Sequence, residues 1–146
     1  MVMIMLASFI LCASPNSAAD LISQSLGQRV SSIDLAPTIL KAVGVAPPAD
    51  LPGLNLLDEH ARAQRSGIFG ECFTHNYVDI QNPASSLKWR WIIEGDTKLI
   101  VPEKRNQPDD VVELYDLAKD PHEEKNLAGA EPAKVARLTK QLDAWW

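Results

Sequence analysis

The residue types that most often bind metals or act as nucleophiles are sparse in this sequence. The two cysteines, Cys12 and Cys72, lie far apart and do not form the short spacings typical of metal sites. The three histidines, His60, His75 and His122, are also scattered, with no two at a helical or hairpin spacing. The pattern therefore predicts two unpaired thiols, one of them buried, and no metal site within this chain.

Two acidic pairs, Asp109–Asp110 and Glu123–Glu124, are the remaining candidates for metal binding. Calcium requires about six to eight oxygen ligands, which two pairs in separate segments do not supply. The first pair lies in a polar stretch and the second in a predicted capping turn. We therefore expect both pairs to be solvated side chains.

The composition indicates one modest globular domain with a hydrophobic core. The chain has 146 residues, of which 46% are hydrophobic, and a formal net charge of −5. No basic stripe interrupts this mild acidic excess, so a nucleic-acid-binding protein is not indicated.

The opening segment, Val2–Cys12, is almost wholly apolar. It is too short to span a membrane, which takes about 20 residues. One interpretation is a signal peptide cleaved after the small residues Ser17–Ala19, although no Lys or Arg precedes the apolar run. A cleaved signal would make the protein periplasmic or secreted. The alternative is a buried segment that remains from a larger domain.

The next segment predicts a strand, a helix and a rigid linker. Val30–Ile33 is a short strand candidate. Asp34 is a predicted N-cap, and an apolar stripe continues a helix from Asp34 to Val43. The proline-rich run Ala46–Gly53 then predicts an extended linker at a subdomain boundary.

The middle of the chain predicts three or four antiparallel strands. Gly95–Asp96 is a two-residue hairpin signal between two of them. The predicted strands are Ile68–Phe73, Lys88–Glu94, Thr97–Val101 and Val111–Tyr115.

Alternation along the second predicted strand separates two faces. Trp89, Trp91 and Ile93 share one face, while Ile92 lies on the other face with Lys88, Arg90 and Glu94. Arg90 and Lys98 are expected on a solvated sheet face. Trp89, Trp91, Trp145 and Trp146 are expected in the core rather than as a platform for sugars, although the last two are also compatible with a docking surface.

A capped turn and an amphipathic helix end the chain. Asp120-Pro121-His122-Glu123 has a capping pattern, and Pro132 opens the last helix. An apolar stripe on this helix comprises Val135, Leu138, Leu142 and Trp145. The predicted fold is α+β: a small antiparallel sheet of about four strands packed by a C-terminal helix and preceded by a short helix.

Five blocks in this order resemble the C-terminal part of sulfatases, arylsulfatase-type members of the alkaline-phosphatase-like superfamily. The resemblance covers residues 28–146. The blocks are Val30–Val45, Gly53–Leu57 with Asn55 in place of the usual Ser, the paired segments Lys88–Ile92 and Lys98–Ile100, Glu113–Leu117, and Asp120–Leu127.

The resemblance implies a division of the chain and a chemistry. Residues 1–27 are a signal-like or remnant segment, 28–58 the end of the sulfatase large α/β domain, and 59–146 the C-terminal subdomain. The family hydrolyses sulfate esters with a formylglycine, made from a Cys or Ser in a Cys/Ser-x-Pro-x-Arg motif, and a calcium ion. The formylglycine is the nucleophile, the calcium ion positions the sulfate, and this ion and cationic side chains offset charge on the transferring group.

The nucleophile motif is absent from this sequence. Cys12-Ala13-Ser14-Pro15 has its proline one position late and no arginine follows it. We therefore predict a partial sulfatase without catalysis by itself, whose formylglycine and calcium sites lie outside this chain. Its partner would be the missing catalytic domain, and it would meet a sulfated substrate only in that context.

His75 is the one candidate for contact with substrate. It follows the first predicted sheet strand, and the resemblance implies that loops of this subdomain close one side of the substrate pocket. An imidazole can donate to a sulfate or hydroxyl oxygen. The alternative is an ordinary surface or interface histidine.

Three functions remain open at this point. The first is the partial sulfatase. The second is an exported module that binds sulfated sugar through His75, and the third is a fragment that complements a separately encoded catalytic domain. The third predicts an exposed apolar face.

Overall fold

The computed structural model describes residues 29–76 and 78–146, so the predicted signal-like segment and Cys12 lie outside the described residues. Within those ranges, three α-helices and four strands form an α+β fold. The helices are α1 (Leu35–Ala42), α2 (Glu59–Ala63) and α3 (Pro132–Trp145). The strands are β1 (Ile68–Phe73), β2 (Leu87–Glu94), β3 (Thr97–Pro102) and β4 (Glu113–Asp116).

The four described strands form one antiparallel sheet in the order β1-β2-β3-β4. Gly95 and Asp96 join β2 to β3, and Gly95 has a φ of 55°, as the Gly-first hairpin signal predicted. Trp91 lies between Gly70 of β1 and Ile100 of β3. The predicted strand bounds therefore agree with the structure to within one or two residues.

The core lies between one face of the sheet and α3. It is a cluster of five buried side chains, with Ile92, Leu99 and Leu138 fully inaccessible to solvent. The other two members are Leu114 and Leu142. Alternation in the strands and a three-to-four-residue spacing in α3 bring these side chains together. The predicted antiparallel sheet packed by a C-terminal helix is confirmed.

Charged side chains border this core. The reason is that α3 packs on the sheet face that carries Ile92, and Arg90 and Glu94 of β2 lie on the same face. Arg90 of β2 pairs with Asp143 of α3 at 3.0 Å, and the Arg90 side chain is only 15% exposed. Glu94 accepts hydrogen bonds from Arg137 and Gln141 of the same helix. The prediction that Arg90 lies on a solvated face is therefore wrong, because α3 covers that face.

The segment before α1 differs from the predicted strand Val30–Ile33. Residues Ser32–Asp34 form a 3-10 turn that runs directly into α1. The Ser31 amide donates to the Asp34 carboxylate at 2.9 Å, which closes the turn locally. A strand needs a partner for its backbone groups, and this local bond supplies one instead.

A second short helix, α2, was not predicted from the sequence. The Asp58 carboxylate caps it by accepting from the Ala61 amide at 3.0 Å. With five residues, α2 is too short to show an apolar stripe. Its function in the fold is to bring Arg62 and Arg65 towards the segment before α1.

No helix in the described part of the chain is both long enough and apolar enough to cross a membrane.

Candidate functional site

A buried carboxylate joins the N-terminal segments of the described fold. Asp34 is fully inaccessible to solvent and accepts from the Ser31 amide, the Leu54 amide at 3.1 Å and the Arg65 guanidinium at 2.5 Å. The predicted role of the Asp34 side chain as the N-cap of α1 is wrong, since it makes no cap bond to that helix. Its donors instead come from three segments of the chain, so the carboxylate fixes their relative positions.

The hydrogen bonds to Asp34 determine its acidity. Burial by itself would raise the pKa of the carboxyl group, but the bonds from Arg65, Ser31 and Leu54 outweigh it, and the pKa of Asp34 is lowered. Asp34 is therefore a permanently charged structural group at neutral pH rather than a general acid.

A cavity of about 330 Å³ is lined in part by Arg29, Arg62 and Arg65, the last of which binds this carboxylate. Arg29 donates to the Gly95 carbonyl and to Asp96, both at 3.0 Å, which ties the start of the described chain to the β2–β3 hairpin. Arg65 is bound to Asp34. The positive charge of these two arginines is balanced by carboxylates, so they serve to hold the fold together.

A larger cavity, of about 500 Å³, lies on the sheet face opposite α3. We refer to this face as the open face. The cavity is lined by Cys72, Trp89, Trp91, Lys98, Ile100, Asp109, Asp110, Val111 and Glu113. The two tryptophans come from alternate positions of β2, and the acidic groups come from the segment before β4 and its first residue. This is a mixed apolar and acidic surface.

Two of the side chains that line the cavity, those of Trp89 and Asp110, are joined by a hydrogen bond. Trp89 Nε1 donates to Asp110 Oδ2 at 2.7 Å, so Asp110 is not the solvated side chain that the sequence predicted. Trp91 packs closely over Gly70, where an added Cβ would be 2.1 Å from Trp91 Cζ2. Neither tryptophan belongs to the buried cluster under α3, so their predicted place in the core is wrong.

Lys98 is also bound rather than solvated. Its ammonium group donates to both carboxylate oxygens of Glu123 at 2.7 Å. Glu123 has a φ of 58°, an uncommon conformation for a residue other than glycine. The expected solvated state is therefore wrong for both Lys98 and Glu123, because the closing turn folds back over β3.

The tyrosine of β4 lies on the open face beside an acid. Tyr115 is 8% exposed, and its hydroxyl donates to Glu113 Oε2 at 3.1 Å. Burial and the neighbouring Glu113 raise the pKa of Tyr115 to about 12. This tyrosine therefore stays neutral at physiological pH and acts as a hydrogen-bond donor.

The predicted substrate contact, His75, lies in the exposed turn that follows β1. Its Nδ1 is 3.2 Å from Asn76 Oδ1, and Thr74 Oγ1 donates to the Asn76 carbonyl at 2.8 Å. Neither of the two cavities described above includes His75. The structure thus places His75 at the end of the strand, where the sequence predicted it, and outside the lining of the open-face cavity.

Cys72 is exposed and unpaired in the described chain. Among residues 29–76 and 78–146, no group of three or more His, Cys, Asp or Glu side chains is arranged to hold a metal ion. The described residues therefore do not fit the calcium site that the family resemblance implies, and such a site would need ligands from other residues.

Sequence reasoning missed the Asp34–Arg65 pair and the open-face cavity. Asp34 was recognised only as a helix cap, and the proline-rich run separates it from Arg65. For the open face, the alternation of Trp89, Trp91 and Ile93 was the available signal. It did not show which face α3 would cover, since three charged residues share the face of β2 that carries Ile92.

Comparison with known proteins assigns this fold to a family. The family model described as "N-sulphoglucosamine sulphohydrolase, C-terminal" matches residues 10–145. Arylsulfatase K of Xenopus laevis is 25% identical over 130 residues, which are 82% of this chain and 22% of that protein. This chain therefore spans about a fifth of the length of its curated relative.

Solved structures of sulfatases share the fold. A putative sulfatase from Bacteroides thetaiotaomicron is 27% identical with a TM-score of 0.56, over 77% of this chain and 23% of that one. BT4656, solved in complex with its substrate D-glucosamine-2-N,6-O-disulfate, is 26% identical with a TM-score of 0.52 over 76% and 22%. The chain belongs to the N-sulphoglucosamine sulphohydrolase C-terminal family and is a sulfatase C-terminal region.

Proposed function

We propose that this chain has no catalysis by itself and completes a sulfatase by packing against a catalytic domain. The observation that carries this proposal is the apolar surface of α1 and its flanks. Ile39 is 59% exposed, Leu35 is 56% exposed and Val43 is 67% exposed. Exposed apolar side chains of this size on one short helix and at its C-terminal end are typical of a surface that another domain covers.

The position of this surface in the chain supports the same proposal. Asp34 and Arg65 fix α1 to the rest of the fold, so the apolar side chains of α1 are presented on a rigid support. The family resemblance implies that residues 28–58 are the end of the large α/β domain. The catalytic domain would then supply the formylglycine and the calcium ion. This chain would supply the surface, formed by α1 and the sheet, against which that domain packs.

Assays of the chain with and without a catalytic domain test this proposal. A chromogenic aryl sulfate with calcium and the purified chain alone should give no turnover above a blank. The catalytic part of a sulfatase relative, produced without its own C-terminal region, should gain activity when this chain is added. Turnover by the chain alone would refute the proposal.

Two aspartate substitutions in α1 test whether its apolar surface is the contact. Ile39→Asp should abolish the gain in activity, because it places a charge in the apolar contact. Lys41→Asp introduces the same group on the opposite side of the helix and should retain most of the gain. Equal losses for the two variants would exclude α1 as the contact.

We further propose that the substrate of the assembled enzyme is a sulfated sugar and that His75 contacts it. BT4656, which matches this chain, was solved with its substrate D-glucosamine-2-N,6-O-disulfate. His75 is exposed at the end of β1, and its Nδ1 faces Asn76, so Nε2 is the ring nitrogen available for a sulfate or hydroxyl oxygen. In the assembled enzyme, His75→Ala should raise KM more than it lowers kcat.

The competing proposal is a module that binds sulfated sugar on its own. Calorimetry of the isolated chain with sulfated oligosaccharides separates the two. Binding that disappears in His75→Ala would favour the module, whereas the absence of heat would leave His75 with a function only in the assembled enzyme.

A further inference from the structure

We propose that the open-face cavity binds a small organic cation, an amine or ammonium group carried on an apolar ring or chain. This inference goes beyond the proposed sulfatase function and does not depend on it. The cavity of about 500 Å³ is within the usual size range of sites for small molecules. It lies on the sheet face opposite α3 and does not include His75.

The floor and one wall of the cavity are apolar. Trp91 and Ile100 are paired neighbours on β2 and β3, and Trp89 lies two positions before Trp91 on the same face. Tryptophan rings attract cations through their π faces, more strongly than the other aromatic side chains do. The Lys88 ammonium already lies 4.4 Å from the centre of the Trp89 ring, so a cation–π contact forms at this wall within the protein itself.

The charged groups of the cavity favour a cation over an anion. Three carboxylates, those of Asp109, Asp110 and Glu113, line the cavity together with a single ammonium group, that of Lys98. Glu123 holds Lys98 with two hydrogen bonds of 2.7 Å, so the positive charge is already compensated. Lys88 lies over the Trp89 ring and Lys104 Nζ donates to the Asp110 carbonyl, so both offset part of the acidic charge. With Glu123 included, four carboxylates still outnumber three ammonium groups, so an ammonium ligand is favoured over a sulfate or a carboxylate.

The carboxylates have oxygens available for such a ligand. Asp110 uses Oδ2 to accept from Trp89, and Glu113 uses Oε2 to accept from Tyr115. These bonds fix the orientation of both carboxylates. The second oxygen of each can accept from a bound ammonium group while the rings contact its apolar part.

The wall that carries Asp109 and Asp110 is itself anchored to the sheet. The Glu103 amide donates to the Lys88 carbonyl at 2.8 Å, and Asn106 Nδ2 donates to the Leu87 carbonyl at 2.6 Å. Lys104 Nζ donates to the Asp110 carbonyl at 2.5 Å. A wall held at several points does not have to become ordered on binding, which favours affinity.

Three probes of nearly equal shape and different charge test the proposal. They are 2-phenylethylamine, which is protonated at pH 7, neutral 2-phenylethanol and anionic phenylacetate. Calorimetry and intrinsic tryptophan fluorescence of the full chain should show saturable binding of the amine. We expect binding at least about tenfold weaker for the alcohol, since it lacks the charge-assisted hydrogen bonds, and none for the acid.

Variants distinguish this site from general attraction to an acidic protein. Glu113→Gln and Asp109→Asn should each weaken amine binding several-fold, and Trp91→Leu should remove it, while the melting temperature reports whether each variant is folded. Asp50→Asn makes the same charge change at an exposed position away from the cavity and should have no effect. Equal binding of amine and alcohol, an equal effect of Asp50→Asn, or no saturable binding of the amine would overturn the proposal.

Discussion

Arg65 Nη2 lies 2.5 Å from Oδ1 of the fully buried Asp34, although the two residues belong to different predicted subdomains. The same carboxylate accepts from the amides of Ser31 and Leu54. One charged group therefore joins the start of α1, the end of the proline-rich linker and the residues before β1. The support of the apolar α1 surface depends on this ion pair.

Replacement of Arg65 should destabilise the chain strongly. Arg65→Leu leaves the Asp34 carboxylate buried without its cation, and we expect a loss of about 3 kcal/mol in the free energy of unfolding. Urea unfolding followed by circular dichroism measures this loss. Arg105→Leu, at an exposed position, should change the same quantity by less than about 0.5 kcal/mol. Similar losses for the two variants would show that the pair contributes little.

Gly53 and Gly44 form a matched pair for a second prediction. Both have positive φ, of 92° and 79°. A Cβ at Gly53 would lie 2.3 Å from the Ile33 carbonyl oxygen, whereas a Cβ at Gly44 would meet nothing within 4 Å. Gly44→Ala should therefore cost only the strain of the left-handed conformation, about 1–2 kcal/mol. Gly53→Ala should cost at least about 3 kcal/mol, because a backbone clash adds to that strain.

The measurement for the glycine pair is again the free energy of unfolding in urea. A difference between the two alanine variants isolates the close approach of the linker to the residues before α1. Equal losses would mean that the backbone near Ile33 moves aside at little cost.

The regular elements were predictable from local patterns, and the missed ones were not. The residue types of β1, the alternation in β2 and the spacing of Leu138 and Leu142 in α3 are short-range signals, and all three elements formed as predicted. Val30–Ile33 has strand-forming residues, but the bond from Ser31 to Asp34 closes a 3-10 turn there. A local side-chain bond outweighed strand propensity at this point.

The environment of the candidate site was harder to predict than the fold. Lys98 and Arg90 belong to strands that were correctly predicted, yet both were expected in solvent. Each is bound by an acid from a segment far along the chain, Glu123 and Asp143. Such contacts depend on how α3 and the closing turn fold back over the sheet, and a strand pattern contains no information about them.

Tyr115 makes the stability of the chain sensitive to alkaline pH. Its pKa is raised to about 12 in the folded chain, while a tyrosine in an unfolded chain ionises near its ordinary value of about 10. Between these two values the folded state retains a proton that the unfolded state has lost. The contribution of Tyr115 is therefore complete below pH 10 and is lost as the pH rises to 12, by at most about 2–3 kcal/mol.

Urea unfolding at pH 9 and pH 11 for wild type and Tyr115→Phe measures this contribution. Lysines also titrate in this range, so the relevant quantity is the difference between the two proteins. We expect Tyr115→Phe to lose less stability than wild type between the two pH values. An identical loss in both proteins would show that the Tyr115 phenol is not shielded.

Asn126 closes the outer edge of the sheet in place of another strand. Its Oδ1 accepts from the Leu114 amide and its Nδ2 donates to the Val112 carbonyl, both at 3.1 Å, while the Leu127 amide donates to the Leu114 carbonyl at 2.8 Å. The side-chain amide thus presents one acceptor and one donor to β4, as a neighbouring peptide group would. The final Asn-Leu of the sulfatase-like motif is therefore a structural cap on an edge strand.

Substitutions at Asn126 separate the hydrogen bonds of its side chain, of which Oδ1 accepts a further one from the Ala128 amide at 2.9 Å. Asn126→Ala removes all three and should lower the free energy of unfolding by about 1–2 kcal/mol, while Lys125→Ala, at the exposed neighbour, should have little effect. Asn126→Asp retains the acceptor but cannot donate to Val112 when ionised. Its deficit relative to wild type should shrink below about pH 4, where the carboxyl group gains a proton that can be donated. A deficit that is constant with pH would mean that the bond to Val112 does not contribute to stability.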